Sequence, residues 1–295
     1  MIRCPACFSP SGEDLSDVAR HLYAMLERSD PVHVMWVNRE LGKERVGVGD
    51  FTERVFRLFE VGGDIRDWIL RRFVHMFLSE SPHPFILAMQ RPEPWVLKGY
   101  AVEHHHFLRQ WVVSCANIIS RCERDDVRMY EVDNIYTEYH GSRESPAHHE
   151  LLIKMGISYG LKREEIVGSR PLRATKVAIG EWDRITRVSS WNASMAAVHG
   201  MELLANREMV KYGARYSYFD PAILSDGSIT EDARKFLMEG YSADIGHSME
   251  ALKLIQDGVE EMDNGMEVMI AFTYSMGHLY EYLNARLERG RMYGN

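Results

Sequence analysis

Apolar residues in this chain recur mostly at steps of three and four, the period of a helix with one buried face. Val18, Leu22, Met25 and Leu26 set the pattern over 15–28. It returns over 51–60 and 65–80, on either side of the Gly62-Gly63 pair. Ser81-Pro82-His83-Pro84 then breaks it, because proline lacks a backbone donor and restricts the residue before it. Beyond the break, the spacing predicts a long helix over about 94–122 and another over 125–139 that stops near Gly141. Pro146 suits the first turn of the next helix, which runs to about Gly156. Later helices are expected over roughly 174–205, 230–257 and 266–289. Thr230, followed by Glu231 and Asp232, reads as an N-cap with acidic first-turn residues. Asp226-Gly227 and Asn264-Gly265 fall between helical segments and read as interhelical turns rather than hairpins. The expected fold class is all-α, as one domain over 1–295 with 1–35 as a peripheral appendage.

Composition adds exclusions. At 295 residues the chain can bury a core without disulfide or metal staples. Its 43 acidic and 35 basic residues leave a net charge of -8, which argues against a nucleic-acid partner. No run of 18 apolar residues suggests a membrane span, and the N-terminus lacks the apolar stretch of a secretory signal. With only four cysteines, this points to a cytoplasmic protein. Phosphate loops, dinucleotide glycine fingerprints and HExxH pairs are absent from the sequence. Cys4-Pro5-Ala6-Cys7 has CxxC spacing, but no second cysteine pair supports a zinc ribbon, since Cys115 and Cys122 fall in a predicted apolar helix. The role of Cys4 and Cys7 is left open.

Histidines and carboxylates remain as candidate chemistry. In Glu103-His104-His105-His106 the three histidines project about 100° apart and cannot all face one metal, whereas Glu103 and His106 share a face. Glu138 ends one predicted helix and His148 opens the next, across a turn containing Gly141, so the two can reach one ion. Glu202 follows a small, apolar stretch, where a carboxylate is costly unless paired or metal-bound. Asp244 and His247 form D-x-x-H on one helix face. Carboxylates and imidazoles converging from several helices are the ligand set of di-iron bundle cores.

These segments, from about His83 to Leu254, resemble the haem-oxygenase-like di-iron oxidase and oxygenase superfamily, related in fold to the PqqC and TenA proteins. Asn134-Ile135-Tyr136-Thr137-Glu138-Tyr139-His140-Gly141 matches its N-L-x-x-E-x-x-G element, with Ile135 for leucine, and His148 takes the histidine position after it. Glu202 matches a lone glutamate on a later helix. Asp244 and His247 match the end of H-x-x-x-D-x-x-H, whose first position here is Gly240. The resemblance implies a bundle of about seven core helices plus an N-terminal extension. It implies two Fe(II) ions held by Glu138, His148, Glu202, Asp244 and His247, the second more weakly because of Gly240 unless Glu239 or another group substitutes. Glu103, with His106 nearby, is an additional candidate ligand. O2 would be the co-substrate in oxidation of a small amine, amino acid or fatty-acid-like metabolite by N-oxygenation, desaturation or C–C cleavage. Trp95, Tyr100, Tyr136 and Trp191 are candidate pocket walls. The alternatives are an iron-free cofactor-processing enzyme of the PqqC or TenA kind, and a non-catalytic helical binding protein. A homodimer is compatible with this size, although no heptad seam specifies one.

Overall fold

The computed structural model describes residues 1–141 and 146–294, without the side chains of 242–245. Its body is all-α, as the periodicity predicts. The first half comprises α1 (Leu15–Glu27), α2 (Pro31–Glu40), α3 (Val48–Leu58), α4 (Ile65–Phe77), α5 (Pro84–Gln90), α6 (Pro94–Ile119) and α7 (Asp125–His140). The second half comprises α8 (His148–Ser158), α9 (Arg163–Val167), α10 (Arg173–Val188), α11 (Trp191–His199), α12 (Glu231–Met262) and α13 (Gly265–Arg291). Among the described residues, the one sheet is an N-terminal hairpin of β1 (Ile2–Arg3) and β2 (Pro10–Gly12). No helix among them is long and apolar enough to cross a membrane.

α13 is the central element. Its residues Val268 to Met276 are all buried, as expected of a helix covered on every side. It packs on α4, α6, α10 and α11, while α12 closes the opposite wall against α8 and α11. Two glycines set the α6–α13 crossing. A β-carbon on Gly99 would stand 2.1 Å from the Arg286 carbonyl oxygen, and one on Gly290 would stand 2.5 Å from that of Trp95. Only glycine permits backbones this close, and the contact fixes where Arg286 projects.

The structure departs from the predicted elements in two instructive places. The helix expected over 174–205 is broken at Ser189 and Ser190. Glu267, at the start of α13, accepts hydrogen bonds from the Ser190 amide and hydroxyl, both at 2.9 Å. The break therefore has a partner about 77 residues away, outside any local window. The 3-10 turn Glu202–Leu204 then replaces continuous helix, so Glu202 projects from a turn. The N-terminal stretch is also more firmly docked than an appendage. Phe8 is 1% exposed and stacks on Tyr274 of α13 with ring centroids 4.8 Å apart.

Candidate functional site

Between α6, α7, α8, α12 and α13 lies a cavity of about 150 Å³. Its wall carries Glu138, His148, Glu202 and His247, four residues separated by up to 109 positions in sequence. Glu138 ends α7, where Gly141 turns the chain with φ 69°, and His148 opens α8. Glu138 Oε1 lies 3.1 Å from His148 Nδ1. Among the described residues its Oε2 is buried with no hydrogen-bond partner, a costly state for a carboxylate oxygen. Glu239 and Gly240 line the same wall, so the glycine at the expected histidine position faces the cavity beside a carboxylate. Asp244 lies outside the described residues.

A polar layer supports Glu202 from beneath. His199 Nδ1 lies 3.4 Å from Glu202 Oε1, and His199 Nε2 lies 2.8 Å from Glu131 Oε1. Tyr130 donates to Glu202 Oε2 at 3.3 Å. Burial alone would depress the His199 pKa, yet the Glu131 and Glu202 carboxylates outweigh it and raise the value to about 10. An imidazolium between two carboxylates is the outcome. The ligand atoms of Cys115, Glu131 and His199 lie within 4.8 Å of one another. Burial and the adjacent Glu131 push the Cys115 thiol pKa up. Sequence reasoning missed Glu131 and His199. The available signals were the seven-residue step from Glu131 to Glu138, which returns to one helix face, and the three-residue step from His199 to Glu202.

Other expected site residues fall elsewhere. Glu103 is completely buried but lies outside the cavity wall, and its oxygens are taken by Arg289 at 2.7 Å and the Leu172 amide at 3.2 Å. Its face of α6 points at the α13 terminus rather than at the other acids. His106, one turn on, bonds Ser169 Oγ at 2.9 Å and is likewise outside the wall. Tyr100 does line the cavity, with Phe107, Trp111 and Phe236. Trp95 and Trp191 instead pack over Gly290 and Gly258, and Tyr136 is 59% exposed.

A second cluster lies near the N-terminus. Cys4 and Cys7, from the turn of the hairpin, meet His21 of α1 and His33 of α2, with the four ligand atoms within 4.8 Å of one another. Cys4 Sγ to His33 Nε2 and Cys7 Sγ to His21 Nε2 are both 3.7 Å, and the two Nε2 atoms are 3.1 Å apart. Asp30 caps α2 through the His33 amide and also bonds His33 Nδ1 at 2.5 Å, which turns the opposite ring nitrogen inward. Hydrogen bonding between the two thiols lowers the Cys7 pKa and raises that of Cys4. The cysteine spacing was legible. The histidine spacing, with 11 residues between His21 and His33, is wider than a short H-x3-5-H signature.

Residues 70–289, three quarters of the chain, match the TENA/THI-4/PQQC family. The chain belongs to this family. Residues 1–60 match a description of a C2H2 type zinc-finger in one copy. A 4-aminobenzoate synthase from Chlamydia muridarum (strain MoPn / Nigg) is 25% identical over 211 residues, covering 70% of this chain and 84% of that protein. A protein of unknown function with a heme oxygenase-like fold from Shewanella denitrificans superposes with a TM-score of 0.55 at 15% identity, covering 85% of this chain and 97% of that one. A TenA homolog from Pseudomonas syringae pv. tomato gives a TM-score of 0.57 at 16% identity, covering 79% and 92%. The TENA/THI-4/PQQC chain therefore has the haem-oxygenase-like fold that its motifs implied.

Proposed function

We propose that this protein is a non-haem iron oxidase or oxygenase that uses O2 to oxidise a small metabolite. The observation that carries this reading is Glu138 Oε2, buried beside His148 and without a partner among the described residues, in a cavity whose wall also carries Glu202 and His247. Carboxylate and imidazole donors together suit Fe(II), and a buried carboxylate oxygen with no hydrogen bond is relieved by a cation. Glu138, His148, Glu202, Asp244 and His247 would hold the iron, two ions per chain, with the second weaker because Gly240 supplies no side-chain donor. When bound, iron supplies the redox chemistry that lets O2 react with a closed-shell organic molecule.

The chain's own residues perform the remaining tasks. Phe107, Trp111, Phe236 and Leu237 make the cavity largely apolar and exclude water. Tyr130 and His199 hold the Glu202 carboxylate by its two oxygens, so its orientation is set before metal arrives. Glu131 holds His199 in turn and is a positioning residue. The name of the Chlamydia relative agrees with a biosynthetic role for a small-molecule enzyme.

Anaerobic Fe(II) loading followed by metal analysis tests this reading. Iron uptake, lost in His148→Ala and Glu202→Ala with helical content retained, is the expected result. A second reading has iron-free acid–base chemistry, as in a cofactor-processing enzyme. The direct 3.1 Å contact between Glu138 and His148 favours it, because the two groups can share a proton without any metal. Turnover without iron, abolished by Glu138→Gln, would select it.

The N-terminal cluster supports a separate structural zinc. With Zn–S about 2.3 Å and Zn–N about 2.0 Å, a tetrahedron has S···N edges of about 3.5 Å and N···N edges of about 3.3 Å. The observed 3.7 Å and 3.1 Å lie close to those edges. Asp30 on His33 is the outer-shell carboxylate such ligands commonly have. Zinc here would join the hairpin to α1 and α2 and so hold Phe8 against Tyr274. One zinc per chain, lost in Cys7→Ser without loss of cavity iron, is the expected analysis.

A further inference from the structure

Arg286 projects from α13 into the cavity wall and is only 3% exposed. Among the described residues it has no carboxylate partner. Its guanidinium donates to Tyr218 Oη at 2.7 Å, Tyr282 Oη at 2.9 Å and His104 Nδ1 at 2.9 Å, none of them a carboxylate. The nearby acid Glu103 is held by Arg289 and the Leu172 amide. His104 Nδ1 accepts from the guanidinium and also contacts the Tyr282 hydroxyl at 2.9 Å, so it offers Arg286 a lone pair rather than a negative charge. Burial pushes the Tyr100 and Tyr282 hydroxyls well above their usual range, so neither becomes a phenolate to neutralise the charge. Arg286 Nε is buried with no hydrogen-bond partner among the described residues.

An unpaired buried cation costs several kcal/mol in principle. The surrounding rings return part of this, since the guanidinium carbon lies 4.2 Å from the Tyr100 centroid, 4.6 Å from Tyr282 and 5.1 Å from Phe85. No carboxylate among the described residues completes the compensation. A purely structural stacking box would be served as well by an apolar side chain, whereas a retained charge with a free donor on a cavity wall matches an anion receptor. The cavity thus has two poles. Glu138, His148, Glu202 and His247 form one, and Arg286 with its tyrosines forms the other. Phe236 links them, with its ring 5.0 Å from His148 and 5.5 Å from Tyr100.

We propose that Arg286 is the receptor for a carboxylate on the molecule this cavity takes, whose body is one aromatic ring or a short aliphatic chain. The apolar wall between the poles sets the body, and a cavity of about 150 Å³ is of the size that accepts a benzene ring. The proposal rests on this cavity being the substrate site, but not on iron being the metal. A substrate so held has its charged end on Arg286 and its far end toward the metal pole. That orientation also keeps its carboxylate from competing with Glu138 and Glu202 for the cation.

The test is equilibrium binding to the full-length protein, read by tryptophan fluorescence, since Trp111 lines the cavity. The probes are benzoate, phenylacetate and hexanoate, each against its neutral amide. Each protein is measured as loaded with iron and after chelation. The acid should bind at least about tenfold tighter than the amide in both states, because only the acid makes a charge-assisted pair. Arg286→Met should abolish that preference, and Arg286→Lys, which keeps the charge in a more conservative background, should retain part of it. Equal binding of acid and amide, no binding of any acid, or an acid preference that survives in Arg286→Met overturns the proposal. A preference that disappears on chelation also overturns it, because the carboxylate would then be binding the metal. A preference that persists in a protein unable to take up iron leaves the receptor standing and refutes only the iron reading.

Discussion

His83 offers a quantitative check on how the cavity wall is held. It precedes Pro84 and caps α5, accepting the Phe85 amide on Nδ1 at 3.0 Å. Its Nε2 donates to the Tyr280 carbonyl of α13 at 3.0 Å, two residues before Tyr282 of the Arg286 cluster. The Phe85 bond requires the neutral ring, because a protonated Nδ1 cannot accept. Burial therefore lowers its pKa from 6.5 to about 4. The sign follows from proton counting. Between those values the unfolded chain binds the proton and the folded chain does not, so stability is full above about pH 6.5 and is lost as pH falls toward 4. One such imidazole costs about 2 kcal/mol between pH 8 and pH 5. His278 and His105 are lowered to about 4 by burial as well, so the whole protein should lose more than this. The isolating variant is His83→Asn, which can still cap α5 but cannot gain a proton. Urea unfolding of both proteins at pH 8 and pH 5 should show the variant losing about 2 kcal/mol less than the wild type over that interval. Any cost of the substitution itself appears equally at both pH values. Equal losses in the two proteins would refute the burial argument for His83.

Other consequences can be measured in the same preparations. Gly99→Ala puts a methyl 2.1 Å from the Arg286 carbonyl oxygen, so it should destabilise by about 1–3 kcal/mol in urea. The gain of about 1 kcal/mol that helix propensity alone gives would show that the backbones can separate freely. Glu131→Gln removes the charge that holds His199 beneath Glu202, and iron affinity should fall about 10–100-fold with the circular dichroism spectrum unchanged. Unaltered affinity would make the Glu131–His199 pair purely structural. Zinc removal by a chelator should expose the hairpin over 2–12 to proteolysis, and zinc re-addition should restore protection. Equal resistance with and without zinc would contradict a structural metal there.

Much of the body was legible because helix faces and caps are local. Thr230 caps α12 by accepting the Ala233 amide, as its sequence context predicts. The end of one helix at Gly141 and the opening of the next at His148 were equally readable. What was hidden depends on partners distant in sequence. The break at Ser190 is made by Glu267, and the exclusion of Glu103 from the cavity is made by Arg289. Neither pairing leaves a trace in spacing, because each joins elements that meet only in the folded bundle. Arg286 was invisible for a related reason. An arginine near the end of a helix ordinarily reaches solvent, and only the glycine-mediated approach of α6 and α13 traps this one among tyrosines. The cysteine pair was visible but lacked its companions. His21 and His33 sit on different helices, so they converge through the turn between α1 and α2, and Asp30 orients one of them there.

Iron stoichiometry of the zinc-replete protein after anaerobic Fe(II) loading bears most directly on the central reading. About two irons per chain, reduced or lost in His148→Ala and Glu202→Ala while zinc stays at one, is the outcome these cavity residues predict. A protein that takes up zinc but no iron, and whose turnover is indifferent to iron, would contradict it.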